Sequence, residues 1–301
     1  MFLGLALACL RSRSDRSLQD PGEAPELLNL RELGVIPSVS ARQGWLMRRD
    51  RDMYPAADPY GAAISLPESR LELAVLRQKN SALAESFAAA MNSVLFAREN
   101  GTTAKVFVVT SPEPGDGKST IASNLAIALA QIDRRVLLVD GDLRRTRLSS
   151  LFRSETDPGL IAILRGFEPI QDVVINDIGT AWRLPNFHFM SAGDPSLFEP
   201  RLLHSNRMVE FVRRVRNEFD IVLIDSPPMA HIADARVLGK LADGVLLVFR
   251  AGKTTIELAT AVERCFSEDG THVLGTILND WNPSHSSRFR GYGRYAAART
   301  I

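Results

Sequence analysis

The chain has 301 residues, enough for one large domain with an appendage or for two small domains. With 45% hydrophobic and 24% charged residues it has the composition of a soluble globular protein, and a formal net charge of +1 excludes a strongly basic nucleic-acid binder. The two cysteines, Cys9 and Cys265, have no metal or redox spacing, which points to a reducing compartment.

The first ten residues, MFLGLALACL, carry no charge but are too few to span a bilayer, which needs about 20 apolar residues. They lack the basic start and cleavage site of a signal peptide. Arg11, Arg13 and Arg16 follow, the positive flank expected on the cytoplasmic side of a membrane helix. Residues 1–10 therefore read either as the remnant of a membrane helix or as a disordered or partner-packed start. Residues 11–66, rich in Pro, Gly, Asp and Arg, read as a linker or juxtamembrane segment, with MRRDRDMYPAADPYG (Met47 to Gly61) its clearest part. Pro67 can open a helix, and Leu83, Phe87, Met91, Val94 and Leu95 recur at helical spacing as far as about Arg98.

Beyond Gly101 the pattern alternates between strand and helix. The strand candidates are KVFVVT, RVLLVD, FHFMS, IVLID, GVLLVF and HVLGTIL. Helical stretches lie between them, among them Ser119 to Ala130, Asn206 to Asn217 and Ile256 to Phe266. The strands are apolar throughout, as parallel strands buried on both faces are. The expected fold is α/β: a doubly wound, mainly parallel sheet of about six strands with flanking helices. It occupies residues 67–281, after a poorly structured N-terminal segment and before a flexible basic tail, residues 282–301.

The first strand runs into SPEPGDGKST, which is followed by a helix. The common phosphate-loop pattern is G-x-x-x-x-G-K-[ST]; Gly117, Lys118 and Ser119 match its end, but Pro112 stands where the first glycine belongs. Such a loop works through consecutive backbone N–H groups at the positive end of a helix. Pro112 and Pro114 cannot donate, so the donors must come from Gly115, Asp116, Gly117, Lys118, Ser119 and Thr120. Gly115 and Gly117 let the backbone approach a phosphate closely and take dihedrals that other residues resist. The lost glycine thus leaves the donors in place, with Lys118 reaching the phosphates and the Ser119 hydroxyl available to Mg²⁺.

Three aspartates end buried strands: Asp140, with Asp142 just beyond it in RVLLVDGDLRRTRL, and Asp225 in FDIVLIDSPP. This is the sheet edge where parallel α/β proteins bind ligands. Acids there can hold Mg²⁺, orient its waters or accept a proton.

With these motifs the chain resembles the bacterial tyrosine kinases attached to polysaccharide co-polymerases. The loop Ser111 to Thr120 is similar to that family's S-x-x-P-G-E-G-K-S-T type. Val139, Asp140, Asp142 and Arg144 match its hhhDxDxR motif, and Leu223 to Pro227 its hhhDSP motif. SAGDPSLFEPRLLHS, DARVL and VLGTILN continue the likeness, which covers roughly Ser81 to Trp281, and LLNLRELGVIPSVSA resembles the segment joining co-polymerase to kinase. The resemblance implies an ATP- and Mg²⁺-dependent protein-tyrosine autokinase regulating exopolysaccharide or capsule synthesis and export. In it Lys118 stabilises phosphate charge, Ser119, Asp142 and Asp225 hold Mg²⁺, and Asp140 or Asp142 takes the tyrosine proton. Asn279 looks like the family's adenine-contacting asparagine, and a loop residue capping a strand end is the equal alternative. The implied partners are the export machinery at the cytoplasmic face of the inner membrane, further copies of the chain as substrate, and a phosphotyrosine phosphatase.

Two features depart from the family. On the helix before the first strand, the E-x-x-R-x-x-R motif that docks subunits into a ring is reduced to Glu85, with Ala88 and Met91 at the arginine positions. The dense tyrosine cluster of the tail is reduced to Tyr292 and Tyr295, the candidate phosphoacceptors. Two rivals follow: a nucleotide-hydrolysing switch of the chromosome-partitioning type, and a non-catalytic co-polymerase module. The first is disfavoured by Glu113, which stands where those ATPases carry a lysine.

Overall fold

The computed structural model describes residues 16–39, 71–77, 81–96, 98–99, 102–152, 158–168, 184–229 and 232–283. The apolar start, residues 40–70 and the tail with Tyr292 and Tyr295 lie outside them. The chain begins with α1 (Glu23–Leu28) and β1 (Glu32–Pro37). Short helical turns at Leu71–Leu73 and Ala74–Arg77 precede α2 (Ala82–Leu95). Then come β2 (Val106–Thr110), α3 (Lys118–Gln131), β3 (Val136–Asp140), α4 (Arg147–Leu151), α5 (Leu160–Arg165) and β4 (Phe187–Met190). The last elements are α6 (Asn206–Glu218), β5 (Ile221–Asp225), α7 (Asp234–Leu241), β6 (Gly244–Arg250), α8 (Ile256–Glu268) and β7 (Val273–Trp281).

These seven strands form one sheet in the order β1-β7-β6-β2-β5-β3-β4, every neighbouring pair parallel, and a separate two-residue antiparallel pair joins Arg98–Glu99 to Thr102–Thr103. The chain leaves β2 toward β3 on one side and later passes β2 again to reach β6 on the other. Loops at the carboxyl ends of β2, β3, β5, β6 and β7 therefore gather beside one another, the usual place for a ligand in an open α/β sheet.

Alternate strand residues face opposite sides of the sheet. Phe107, Val109, Leu138 and Leu223 pack with α2 and α3 in one core layer. Val106, Val108, Leu137 and Val222 pack with α6 and α8 in the other. All eight side chains are fully buried. This double burial makes the strand sequences continuously apolar.

The sheet has one strand more than the six expected. The additional strand, β1, comes from the stretch read as linker, so residues 16–39 are structured. Its ELGVIP sequence hides the strand because it lies at a sheet edge, where a glycine and a terminal proline are tolerated. Gly34 is required there: a Cβ would lie 2.7 Å from the Cβ of Ala90 on α2. Upstream, the backbone of residues 16–18 is bonded to the loop after β6. Leu18 N–H donates to Thr254 O, Gly252 N–H to Leu18 O and Ile256 N–H to Arg16 O, each at 2.8 Å.

Helix α2 starts later than the expected opening at Pro67, because Ser81 caps it: its Oγ accepts from the Ala84 N–H at 3.1 Å. Met91 faces the core while Glu85 and Ala88 are exposed, so only two of the three family docking positions lie at the surface. Among the described residues no helix is long and apolar enough to cross a membrane.

Candidate nucleotide-phosphate site

The loop between β2 and α3 stands at the centre of the gathered loops. Gly115 and Gly117 have φ of +85° and +101°, the left-handed conformation expected from their positions. Gly117 also has no room for a side chain, since a Cβ would sit 2.0 Å from Asn279 Nδ2. That amide donates to the Asp116 carbonyl at 2.9 Å, so Asn279, at the end of β7, is packed directly on the loop. The Asp116 carboxylate is buried inside the loop, accepting from the Glu113 N–H at 2.8 Å, and burial raises its pKa. Asp116 can therefore serve a ligand through its backbone N–H but not through its side chain.

Lys118 and Ser119 open α3 and face the strand-end acids. The Ser119 hydroxyl donates to Asp225 Oδ2 at 2.6 Å, and Lys118 Nζ lies 3.6 Å from Asp142 Oδ2. Asp140 and Asp225 are opposite one another in the β3–β5 register. Asp140 Oδ2 accepts from both the N–H and the hydroxyl of Ser149, at 2.8 and 2.7 Å. Both acids are fully buried. Burial, with the neighbouring Asp225 charge second, pushes the Asp140 carboxyl up to about 7. Burial likewise pushes Asp225 up to about 6, with Lys118 acting against it.

The second carboxylate oxygens, Asp140 Oδ1 and Asp225 Oδ1, are buried with no hydrogen-bond partner among the described residues. Unpaired buried acceptors are costly, and they mark places where a cation or ordered water completes the site. Among the described residues no three acidic, histidine or cysteine side chains converge on one point. Lys118, Ser119, Asp140, Asp142 and Asp225 are therefore a set that would hold a cation together with a ligand's oxygens, not a closed protein cage.

Several members of the site have no motif in the sequence. Ser149 fixes Asp140 from nine residues downstream. Arg147 pairs with the buried Glu72, whereas Arg144, already marked by the hhhDxDxR likeness, pairs with Asp234 at 2.9 Å and lies over the Phe198 ring. Arg250, at the end of β6, and Lys253, in the loop after it, reach the phosphate loop itself. Beside the loop opens a partly apolar cleft whose walls include Ile36, Leu83, Phe87, Arg250, Asn279 and Asp280.

Residues 104–262 match the sequence model of the AAA domain. The tyrosine-protein kinase YwqD of Bacillus subtilis (strain 168) is 33% identical over 189 residues, which cover 63% of this chain and 78% of YwqD. The tyrosine-protein kinase Ptk of Acinetobacter johnsonii is 29% identical over 93% of this chain and 35% of its own length. The succinoglycan biosynthesis transport protein ExoP of Rhizobium meliloti (strain 1021) is 28% identical over 100% of this chain and 39% of its own length. The chain thus spans little more than a third of these two longer relatives. Among solved structures, the kinase domain of the Escherichia coli tyrosine kinase ETK superposes with a TM-score of 0.72 at 26% identity, covering 89% of this chain and 97% of that one.

Proposed function

The chain belongs to the family of bacterial tyrosine-protein kinases built on this AAA domain, and on that premise we propose that it is an ATP-dependent protein-tyrosine autokinase regulating exopolysaccharide or capsule synthesis and export. The observation that carries the reading is the contact of Ser119 with Asp225 at 2.6 Å beside Lys118 and Asp142, with two buried acid oxygens left unpaired. Lys118 and the N–H groups of Gly115 to Thr120 bind the β- and γ-phosphates. Ser119, Asp142 and Asp225 are the residues that would hold Mg²⁺, which when bound neutralises phosphate charge. The partly apolar cleft gives a flat base a seat beside Asn279. Asp140 or Asp142 accepts the tyrosine proton, and because phosphoryl transfer passes through a loose transition state, position and charge matter more than base strength.

The acceptors in this reading are Tyr292 and Tyr295 of further copies of the chain. The partners are polysaccharide export machinery at the cytoplasmic face of the inner membrane and an opposing phosphotyrosine phosphatase. The succinoglycan name of ExoP supports the polymer class. The test is incubation of the parent and the Tyr292→Phe/Tyr295→Phe double variant with Mg·ATP, followed by peptide mapping. Phosphotyrosine at those positions, with a rate per molecule rising with protein concentration, is expected. Undiminished total phosphotyrosine in the double variant would refute the acceptor assignment. ATP turnover with no phosphotyrosine in either protein would replace the kinase by a nucleotide-hydrolysing switch.

A further inference from the structure

Three successive carbonyl groups of the phosphate loop are each held by a side chain from outside it. Lys253 Nζ donates to Pro114 O at 3.0 Å, Arg250 Nη1 to Gly115 O at 3.0 Å and Asn279 Nδ2 to Asp116 O at 2.9 Å. In a trans peptide unit the C=O of one residue and the N–H of the next point in opposite directions. Drawing these three carbonyls toward the β6 and β7 loops therefore turns the N–H groups of Gly115, Asp116 and Gly117 the other way. Within the loop only Gly115 and Gly117 have positive φ, and Asp116 lies between them. That alternation makes successive N–H groups converge into an anion-binding nest.

The need for outside help follows from the loop's composition. Pro112 and Pro114 remove two donors, so three aimed N–H groups ahead of the helix matter more than in a loop with glycines there. Lys253 has a second task. Its ammonium lies 3.1 Å from the Asp116 carboxylate and 3.7 Å from that of Glu113, so it offsets two negative charges bordering a site for anions. Arg250 is itself held by Asp280, at 2.8 Å between Nη2 and Oδ2.

We propose that Lys253, Arg250 and Asn279 are positioning residues that preset the phosphate loop for a nucleoside polyphosphate by holding three consecutive peptide planes with their N–H groups inward. None of the three is required to touch a phosphate. The proposal rests on the reading of this loop as the nucleotide site.

The experiment is calorimetric titration of the full chain with ADP and, separately, with adenosine, at fixed Mg²⁺. The variants are Lys253→Met, Lys253→Arg and Arg250→Met. Lys253→Met is expected to weaken ADP about tenfold, since hydrogen bonds from charged groups carry that order of free energy, and Arg250→Met less. Adenosine, which has no phosphate to meet the nest, is expected to bind both Lys253 variants as it binds the parent; Arg250 also borders the cleft beside the loop, so its variant is read on ADP alone. Lys253→Arg, which keeps the charge and a donor, is expected to restore most of the ADP affinity. Unchanged ADP affinity in both Met variants would overturn the proposal. So would equal losses for ADP and adenosine, which a merely structural role would produce, or an arginine variant as impaired as the methionine one. If Lys253→Met does not fold, Lys253→Gln decides by the same ratio of ADP to adenosine. Failure of the parent to bind ADP would instead remove the nucleotide site and the proposal with it.

Discussion

Asp140→Asn should make the metal- and nucleotide-free protein more stable while lowering phosphotransfer. Asp140 is fully buried beside Asp225, and its carboxyl is pushed up to about 7. In the unfolded chain an aspartate titrates near 3.9. The native state therefore binds the proton more tightly, and this group costs stability as pH rises from about 4 to about 7, with no further loss above that range. A difference of about 3 pH units corresponds to about 4 kcal/mol at most, at 1.36 kcal/mol per unit. The asparagine oxygen can accept both Ser149 donors, and its NH₂ takes the side where Oδ1 has no partner. Allowing about half the ceiling for imperfect fit leaves ~2 kcal/mol, or a Tm rise of about 4–8 °C for a domain of this size. Thermal unfolding of parent and variant in chelator at pH 8 and pH 5 measures it, with the gain expected to shrink at the lower pH. A variant no more stable than the parent at pH 8, or a gain independent of pH, would refute the reasoning.

Lys118→Met should weaken Mg·ATP binding by about tenfold or more, since it removes a charged contact; equal affinities by calorimetry would remove Lys118 from the site. Gly117→Ala should cost more binding than Gly115→Ala. Both impose positive φ on alanine, but at 117 the new Cβ would clash with Asn279 Nδ2 at 2.0 Å, whereas at 115 its nearest neighbour, Lys253 Nζ, is 4.0 Å away; the two titrations compared measure it. The protein should be monomeric or weakly associated at about micromolar concentration, because Ala88 offers no guanidinium and Met91 is packed in the core. Light scattering that finds a stable ring would assign docking to another surface.

The central strands were legible because burial on both faces leaves an unbroken apolar run such as VLLV or IVLI. The phosphate loop was legible because its glycines, lysine and serine sit at fixed spacing. Strand β1 was not, because an edge strand needs few of those signals and Gly34 is set by the nearness of Ala90, a contact across distant sequence. Ser149 and Lys253 were equally hidden: each acts by reaching a partner that no local periodicity brings near. The family resemblance singled out Asn279 but not its contact, which is with the Asp116 backbone.

The added edge strand bears on how this chain keeps to itself. Without β1, the nine-residue β7 (Val273–Trp281) would present a row of open backbone donors and acceptors, the template on which stray chains aggregate. β1 occupies that row, and its own outer side is a poor template. The strand is six residues long, its register shifts twice against β7, and it ends at Pro37, which has no N–H to offer. A fragment cut at Pro67, where composition would place the start of the domain, would lose this guard. Such a fragment is expected to pair edge to edge, while a fragment retaining residues 16–39 stays dispersed.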